Sequence, residues 1–129
     1  MADRYTHKNL LDVEDSAAKA GFGETQESRF PTKDMGAEQS GLSLHRFKPG
    51  RRAAFGHHHD DVEEIYVVLG GTGRMKLDDE VIELQRLDAV RVSPGVLRAF
   101  EADGEGLDIL AFSPRREDDR GEILPGWWD

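Results

Sequence analysis

Short runs of alternating apolar and polar residues, rich in β-branched side chains, occupy the chain from Gly41 onward. Eight of them follow one another between residues 41 and 112: GLSLHRF, RAAFGHHH, EEIYVVL, GRMKL, EVIEL, AVRV, LRAFEA and LDILAF. Alternation of this kind is typical of strands that bury one face. The pattern therefore predicts eight short strands.

The breaks between these runs supply Gly, Pro or Asp, the residues that tight turns need. They are KPG at 48–50, GG at 70–71, DD at 78–79, SPG at 93–95 and DGEG at 103–106. Strands joined by tight turns pair as antiparallel hairpins, and eight short strands in one domain commonly close into a jelly roll or small barrel. We therefore predict an all-β fold, a jelly roll or small β-barrel whose interior can hold a small ligand.

The segments before and after the predicted barrel have a different character. Residues 10–20, LLDVEDSAAKA, space their apolar side chains as a helix does and predict one short helix outside the barrel. Residues 24–39 are polar and indicate a connecting arm. The tail contains the apolar run ILPGWW, and because adjacent tryptophans are poorly tolerated in water, we expect it to pack as a lid or arm on the barrel or on a partner chain. The expected division is a helix and arm at 1–40, a barrel at 41–113 and a C-terminal tail at 114–129.

Length and composition narrow the classes of function. A chain of 129 residues suits one domain. With 17 Lys plus Arg against 26 Asp plus Glu, the formal charge is −9, which disfavours nucleic acid and anionic membranes as partners. The chain has no cysteine, so disulfides and thiolate chemistry are excluded. Because no apolar run approaches the ~18 residues of a membrane span, a cytoplasmic location is the default expectation.

Three of the five histidines stand together in FGHHHDDVEE, just before a predicted strand. Because side chains alternate along an extended chain, His57 and His59 point one way and His58 the other. Glu63 and Glu64 likewise face opposite sides, so one of them can join the two imidazoles. Two imidazoles and a carboxylate suit a divalent transition metal, Zn, Fe, Mn, Ni or Cu, and leave coordination positions open. The alternative is a solvated polar turn, since short histidine-rich tracts are only compositional hints.

The spacing of these residues resembles the first sequence motif of the cupin superfamily, in which a Gly is followed by His-x-His, a Glu and a second Gly. Here Gly50 is followed after six residues by His57-x-His59, after four more by Glu64 and after six more by Gly71, and only the first gap departs, by one residue. The resemblance covers about residues 41–113. It implies a cupin barrel with His57, His59 and Glu64 as metal ligands, and it favours the second glutamate because the family's ligand glutamate directly precedes the apolar strand.

The second cupin motif is degraded in this chain. Gly95 is retained, but Leu87 replaces a Gly, Ser93 a Pro, Arg98 a His and Ala102 an Asn. The replaced histidine is the family's fourth metal ligand, and a guanidinium has no lone pair to offer a cation. Three outcomes stay open: a metal held by three ligands and water, Arg98 paired with the ligand glutamate in place of a metal, or Arg98 anchoring an anionic substrate beside the metal.

Strand alternation also places Tyr66 on the face of Glu64, and Phe100 on the face of Arg98. Together these side chains suggest an apolar pocket with a polar floor, although plain core filling explains the two aromatic residues as well. Alternation does not decide whether His45 faces the interior or the outside.

The leading interpretation is a small cupin that binds a divalent transition metal and a small molecule, with anions favoured, inside the barrel. If the protein is an enzyme, Arg98 or Tyr66 would orient the substrate, but cupins include dioxygenases, isomerases, decarboxylases and non-catalytic binding domains, so the resemblance does not select a reaction. One alternative is a non-enzymatic sensor or ligand-binding domain with a degenerate metal site. Another is an interaction module acting through the tail. The apolar tail, the N-terminal arm and the edge strands predict a homodimer.

Overall fold

The computed structural model describes residues 4–115 and 121–128, and within these ranges most regular structure is strand. The strands are β1 Gln26–Arg29, β2 Ser40–Phe47, β3 Phe55–His58, β4 Glu64–Leu77, β5 Glu80–Leu84, β6 Ala89–Val92, β7 Arg98–Pro114 and β8 Glu122–Pro125. Among the described residues, helix is limited to a 3-10 turn at Leu10–Asp12 and to α1, Ser16–Lys19. The predicted all-β class is therefore confirmed.

The strands pair antiparallel in one sheet that curls into a half-barrel. Along one path the order is β1, β2, β7, β3, β8, while β4 pairs with β5, β6 and β7. Arg98, at the start of β7, lies opposite Leu77 at the far end of β4. Its guanidinium nevertheless reaches Glu64 at the start of β4, where Nη1 lies 3.2 Å from Oε1. The curl of the sheet thus brings the two ends of β4 to the same side chain.

Glycines bend β4 and β7 at two places where the sequence predicts turns. Gly70 and Gly71 lie within β4, and DGEG at 103–106 lies within β7, so each pair of predicted strands is one long strand. A Cβ on Gly71, whose φ is +76°, would lie 1.9 Å from the carbonyl oxygen of Gly106. The turn predictions at these two places are wrong because bulges and close backbone approach require the same residue type as turns do.

The N-terminal region contains less helix and more strand than predicted. The single helix expected at 10–20 is replaced by the 3-10 turn and the short α1, which Asp15 caps by accepting hydrogen bonds from two backbone amides. Within the predicted connecting arm, β1 pairs with β2 at the sheet edge. Its residues Gln26 and Ser28 are buried and hydrogen-bonded to each other over 3.1 Å. Apolar periodicity does not predict this strand, because the side chains on its buried face are polar.

The C-terminal tail returns to the barrel of the same chain. β8 pairs with β3 in an antiparallel register that sets Glu122 opposite His58 and Ile123 opposite His57. Trp127 and Trp128 follow β8 and are half-buried. Residues 116–120 and 129 of the predicted tail lie outside the described residues.

The concave side of the sheet holds the apolar core. The core includes residues from β2, β4, β5, β6 and β7: Phe47, Tyr66, Val68, Met75, Leu84, Val92, Phe100, Ala102, Leu107, Ile109 and Ala111. Met75, Leu107 and Ile109 have 0% exposure, so these core side chains are shielded from solvent. Among the residues described here, no helix has the length and apolar character needed to cross a membrane.

Candidate metal centre

Two adjoining segments supply the predicted ligands. β3 ends at His58, so His57 lies within the strand and His59 directly follows it. Glu64 is the first residue of β4 and begins an alternation in which every second residue is buried as far as Val68. The faces that the sequence predicts for these side chains are the faces that the structure shows.

The imidazoles of His57 and His59 meet the carboxylate of Glu64. One potential ligand atom from each residue lies within 4.8 Å of the other two. Nε2 of each imidazole lies 3.5 Å from Oε1 of Glu64. The two rings are almost perpendicular, at 87°, with centroids 5.5 Å apart. The three donor groups are close enough to share one ion.

The neighbouring polar residues point elsewhere. His58 directs Nε2 to the Glu122 carboxylate on β8, at 2.9 Å. Glu63 is exposed and pairs with Arg91 over 3.2 Å. The alternation along these segments therefore separates one histidine and one glutamate from the candidate site.

Arg98 lies beneath the carboxylate with 0% exposure. Its Nη1 donates to Oε1 of Glu64 over 3.2 Å, and its Nη2 donates to the backbone carbonyl of Ser93 over 3.3 Å. Within the described part of the chain, its buried Nε has no hydrogen-bond partner. Arg98 thus pairs with the predicted ligand glutamate and retains one donor that another acceptor could satisfy.

Tyr66 is part of both the core and the site. Its hydroxyl donates to Oε1 of Glu64 over 2.5 Å and lies 3.3 Å from Nε2 of His57. Its ring packs edge-on against Phe100, with centroids 5.1 Å apart. Core filling accounts for Phe100, whereas the hydroxyl of Tyr66 also orients the carboxylate.

The protonation states of the site follow from burial and hydrogen bonding. Burial raises the pKa of Glu64, but hydrogen bonding by His57 and Tyr66 together with the nearby imidazoles outweighs it and lowers the pKa to about 2. Burial also lowers the pKa of His57 and raises the pKa of the Tyr66 phenol well above its ordinary value. At neutral pH the carboxylate is therefore ionised, the His57 imidazole neutral and the phenol protonated.

His45 faces the interior. Its Nδ1 lies 3.1 Å from Oγ of Ser28 and its Nε2 lies 2.9 Å from Oγ of Ser43. Burial, with a smaller contribution from the positive charge that His57 can carry, outweighs the opposing effect of the Glu64 carboxylate and lowers the pKa of His45 to about 4. The imidazole is thus neutral at neutral pH, with one ring nitrogen donating and the other accepting.

The sequence pattern does not predict two residues that bind Arg98 and His58. Ser93 accepts from Arg98 through its backbone carbonyl, so its side chain does not mark the contact. Glu122 is 64 positions away from His58 along the chain, a separation that local periodicity does not bridge.

Comparison with known proteins identifies the family. The model of the Cupin domain family matches residues 43–112. The chain belongs to the cupin family. No curated protein matches this cupin by sequence. The barrel prediction and the family resemblance are both confirmed.

Solved structures with the same fold are distant in sequence. A cupin protein from Bacteroides fragilis aligns with a TM-score of 0.71 and 21% identity, over 91% of this chain and 89% of that one. A variant of oxalate decarboxylase from Bacillus subtilis gives a TM-score of 0.77 and 17% identity, over 99% of this chain and 34% of that one. KdgF from a Halomonas species gives 0.58 and 22%, over 73% and 84%. This cupin spans about a third of the oxalate decarboxylase chain, and at these identities the likeness shows the fold.

Proposed function

We propose that this cupin binds a divalent transition metal through His57, His59 and Glu64 and holds a small anionic molecule beside it. The observation that carries the proposal is the approach of three donor groups to within 4.8 Å of one another. Two imidazoles and one carboxylate fit Zn, Fe, Mn, Ni or Cu. The protonation states also fit, because a carboxylate with a pKa of about 2 is ionised at neutral pH and the lowered pKa of His57 keeps that imidazole neutral.

The residues around the three ligands have separate roles in this proposal. A bound metal would supply Lewis acidity and, with three protein ligands, open coordination positions. Tyr66 holds Oε1 of Glu64 through its hydroxyl and thereby fixes the direction of the carboxylate. If the protein is an enzyme, Arg98 and Tyr66 are the residues that orient the substrate.

Arg98 is the reason to propose an anionic ligand. At ~4 Å and an effective dielectric near 20, like unit charges repel by about 4 kcal/mol, so a metal beside a buried guanidinium needs compensation. An anion that accepts from the guanidinium while facing the metal satisfies both cations. The buried Nε, which lacks a partner among the described residues, offers a donor for it. The name of the oxalate decarboxylase with the same fold states that it acts on oxalate, an anion of this class.

A second candidate function is supported by the same arginine. The 3.2 Å contact between Nη1 and Oε1 of Glu64 already balances the carboxylate charge. A non-enzymatic ligand-binding or sensor domain without a metal is the function that this pairing favours. The two candidates differ in whether the purified protein takes up a metal.

Titration calorimetry with Zn²⁺ tests the metal site. His57→Ala and His59→Ala should each weaken binding by more than the roughly 10- to 100-fold that outer-shell changes typically cost. His58→Ala is the matched control and should weaken binding much less, because the His58 imidazole is directed to Glu122 and offers no ligand atom to the site. Equal losses in all three variants, or no Zn²⁺ binding by the wild type, would favour the second candidate.

Competition between an anion and its neutral isostere tests the ligand class. We expect the Zn²⁺-loaded wild type to bind oxalate more tightly than oxamide. Arg98→His should raise Zn²⁺ affinity and reduce the preference for oxalate, because it replaces a cation by a potential fourth ligand. If neither quantity changes, Arg98 has no part in ligand recognition.

A homodimer is the assembly that we propose. Ile65 and Phe112 are register partners on the outer face of the sheet, and they are 40% and 44% exposed. Adjacent exposed apolar residues of this size support burial against a second copy. Light scattering should give about twice the chain mass of 14.4 kDa, and a value near that mass would count against the dimer.

A further inference from the structure

The strand that carries the histidines has little main-chain pairing with the other strands of the barrel. β3 pairs with β7 at one register position, His57 opposite Arg98. It pairs with β8 at four positions, from Phe55 opposite Pro125 to His58 opposite Glu122. Most of the main-chain pairing of the histidine strand therefore comes from the C-terminal segment.

Side chains of this segment also contact β3. Glu122 binds His58 over 2.9 Å. The indole of Trp127 lies so close to Gly56 that a Cβ on Gly56 would be 2.7 Å from Cε3 of the ring. Gly121 passes close to the imidazole of His59, where an added Cβ would lie 3.0 Å from Cε1. Contacts with the segment thus extend along β3 and past its end.

The far end of the segment is fixed to the barrel by cations. Nζ of Lys76 on β4 lies 4.4 Å from the centroid of the Trp127 ring. Arg52 and Arg74 lie 5.3 Å and 5.7 Å from the centroid of the Trp128 ring. Both guanidinium groups bind the carboxylate of Glu101 on β7, which fixes their positions. Cation–π contacts with Lys76, Arg52 and Arg74, the last two held by Glu101, therefore join the tail to parts of the barrel outside β3.

We infer that residues 121–128 form a positioning strap, hereafter the C-terminal strap, which holds β3 so that His57 and His59 reach Glu64. Trp127 is its main positioning residue, since it contacts β3 at Gly56 and the barrel at Lys76. The consequence for metal affinity rests on the proposed function, whereas the ordering of β3 does not. The strap also gives the paired tryptophans a role within the chain, in place of the interaction-module interpretation.

Amide hydrogen exchange on the metal-free protein tests the ordering of β3. Trp127→Ala should speed exchange across residues 55–59 by on the order of tenfold. Without the indole, the strand can open locally without breaking a contact to the ring, so opening costs less free energy. Exchange across residues 64–69 of β4 should stay unchanged, as should exchange of both segments in Leu87→Ala, which truncates an exposed apolar residue outside the strap. Trp127→Phe should restore most of the protection. Unchanged exchange at 55–59, or equal acceleration in β4, would overturn the inference.

Zn²⁺ calorimetry and the visible absorption of Co²⁺ extend the test to the site. Trp127→Ala should weaken Zn²⁺ binding by about 10- to 100-fold, as changes in the outer shell of a metal site do, and alter the Co²⁺ spectrum. Lys76→Met removes the cation above the indole without altering the strap and should show the same pattern to a smaller extent, so it replaces Trp127→Ala if that variant does not fold. A wild type that binds no Zn²⁺ would reject the proposed function, while hydrogen exchange would still decide on the strap. Normal Zn²⁺ affinity in Trp127→Ala would overturn the positioning role.

Discussion

The two strands that supply the candidate ligands are held in very different ways. β4 runs for 14 residues and pairs with β5, β6 and β7, so Glu64 begins a strand that belongs to the centre of the sheet. β3 runs for 4 residues, and β8 provides most of its pairing. The carboxylate is therefore held by the framework of the barrel, whereas most of the main-chain pairing of the histidine strand comes from the C-terminal strap. In such a site, the barrel strands provide the Arg98–Glu64 charge balance, and the C-terminal strap sets the positions of the two histidines.

The largest change in the free energy of unfolding is expected from Glu64→Ala, a substitution on the central strand β4. Removing this carboxylate leaves the guanidinium of Arg98, which has 0% exposure, as an uncompensated buried charge. Breaking a buried pair in this way costs about 3–5 kcal/mol. Urea unfolding of the metal-free protein should show a loss of that size.

The adjacent Glu63 provides the matched control. It is exposed, and its pair with Arg91 spans 3.2 Å at the surface. Glu63→Ala should change the free energy of unfolding by no more than about 0.5 kcal/mol, because exposed ion pairs contribute little. Similar losses in the two variants would mean that the Arg98–Glu64 pair does not carry the charge balance of the framework.

Local alternation was sufficient to predict most of the candidate site. Successive side chains of a strand point to opposite faces, so the sequence alone predicts the faces of His57, His58 and His59. The same holds for Glu64 and Tyr66 on β4. The family resemblance supplied what alternation left open, namely which of two glutamates joins the imidazoles.

Long-range pairing was the part that the sequence did not predict. β8 lies opposite β3 although 64 positions separate Glu122 from His58. The contact between Arg98 and Glu64 depends on the curl of the sheet, which local periodicity does not give. Gly71 was assigned to a turn because a glycine has the same local signature whether the chain reverses or bulges. Each of these features depends on contacts between segments that are distant in sequence.

A matched pair of glycines sharpens the comparison between the two strands. A Cβ on Gly73 of β4 would lie 2.1 Å from the carbonyl oxygen of Glu101, which belongs to the backbone of β7. A Cβ on Gly56 of β3 would meet the Trp127 ring at 2.7 Å, and a side chain can move where a central strand cannot. We expect Gly73→Ala to destabilise the fold by about 3 kcal/mol and Gly56→Ala by about 1 kcal/mol.

Urea unfolding should show the larger loss of stability for Gly73→Ala. Zn²⁺ calorimetry should show the larger loss of affinity for Gly56→Ala. Because Gly56→Ala displaces the indole from the histidine strand, it should weaken metal binding more than its small cost in stability suggests. Equal destabilisation by both substitutions would show that β3 is as rigidly held as β4.

Acidification provides a test that needs no change in either strand, because it protonates His45 in the unfolded chain while the carboxylate on β4 stays ionised. The pKa of Glu64 is about 2, so this group does not titrate between pH 7.5 and 5. Burial lowers the pKa of His45 from 6.5 to about 4, so over that range the unfolded chain binds a proton that the folded chain does not. The stability that the neutral imidazole contributes is therefore present above pH 6.5 and lost as the pH falls towards 4. From pH 7.5 to 5 the expected loss from this residue is on the order of 2 kcal/mol. Urea unfolding of wild type and His45→Gln at both pH values measures it, since the variant should lose that much less stability on acidification; a parallel loss in both proteins would show that His45 is not the group that titrates.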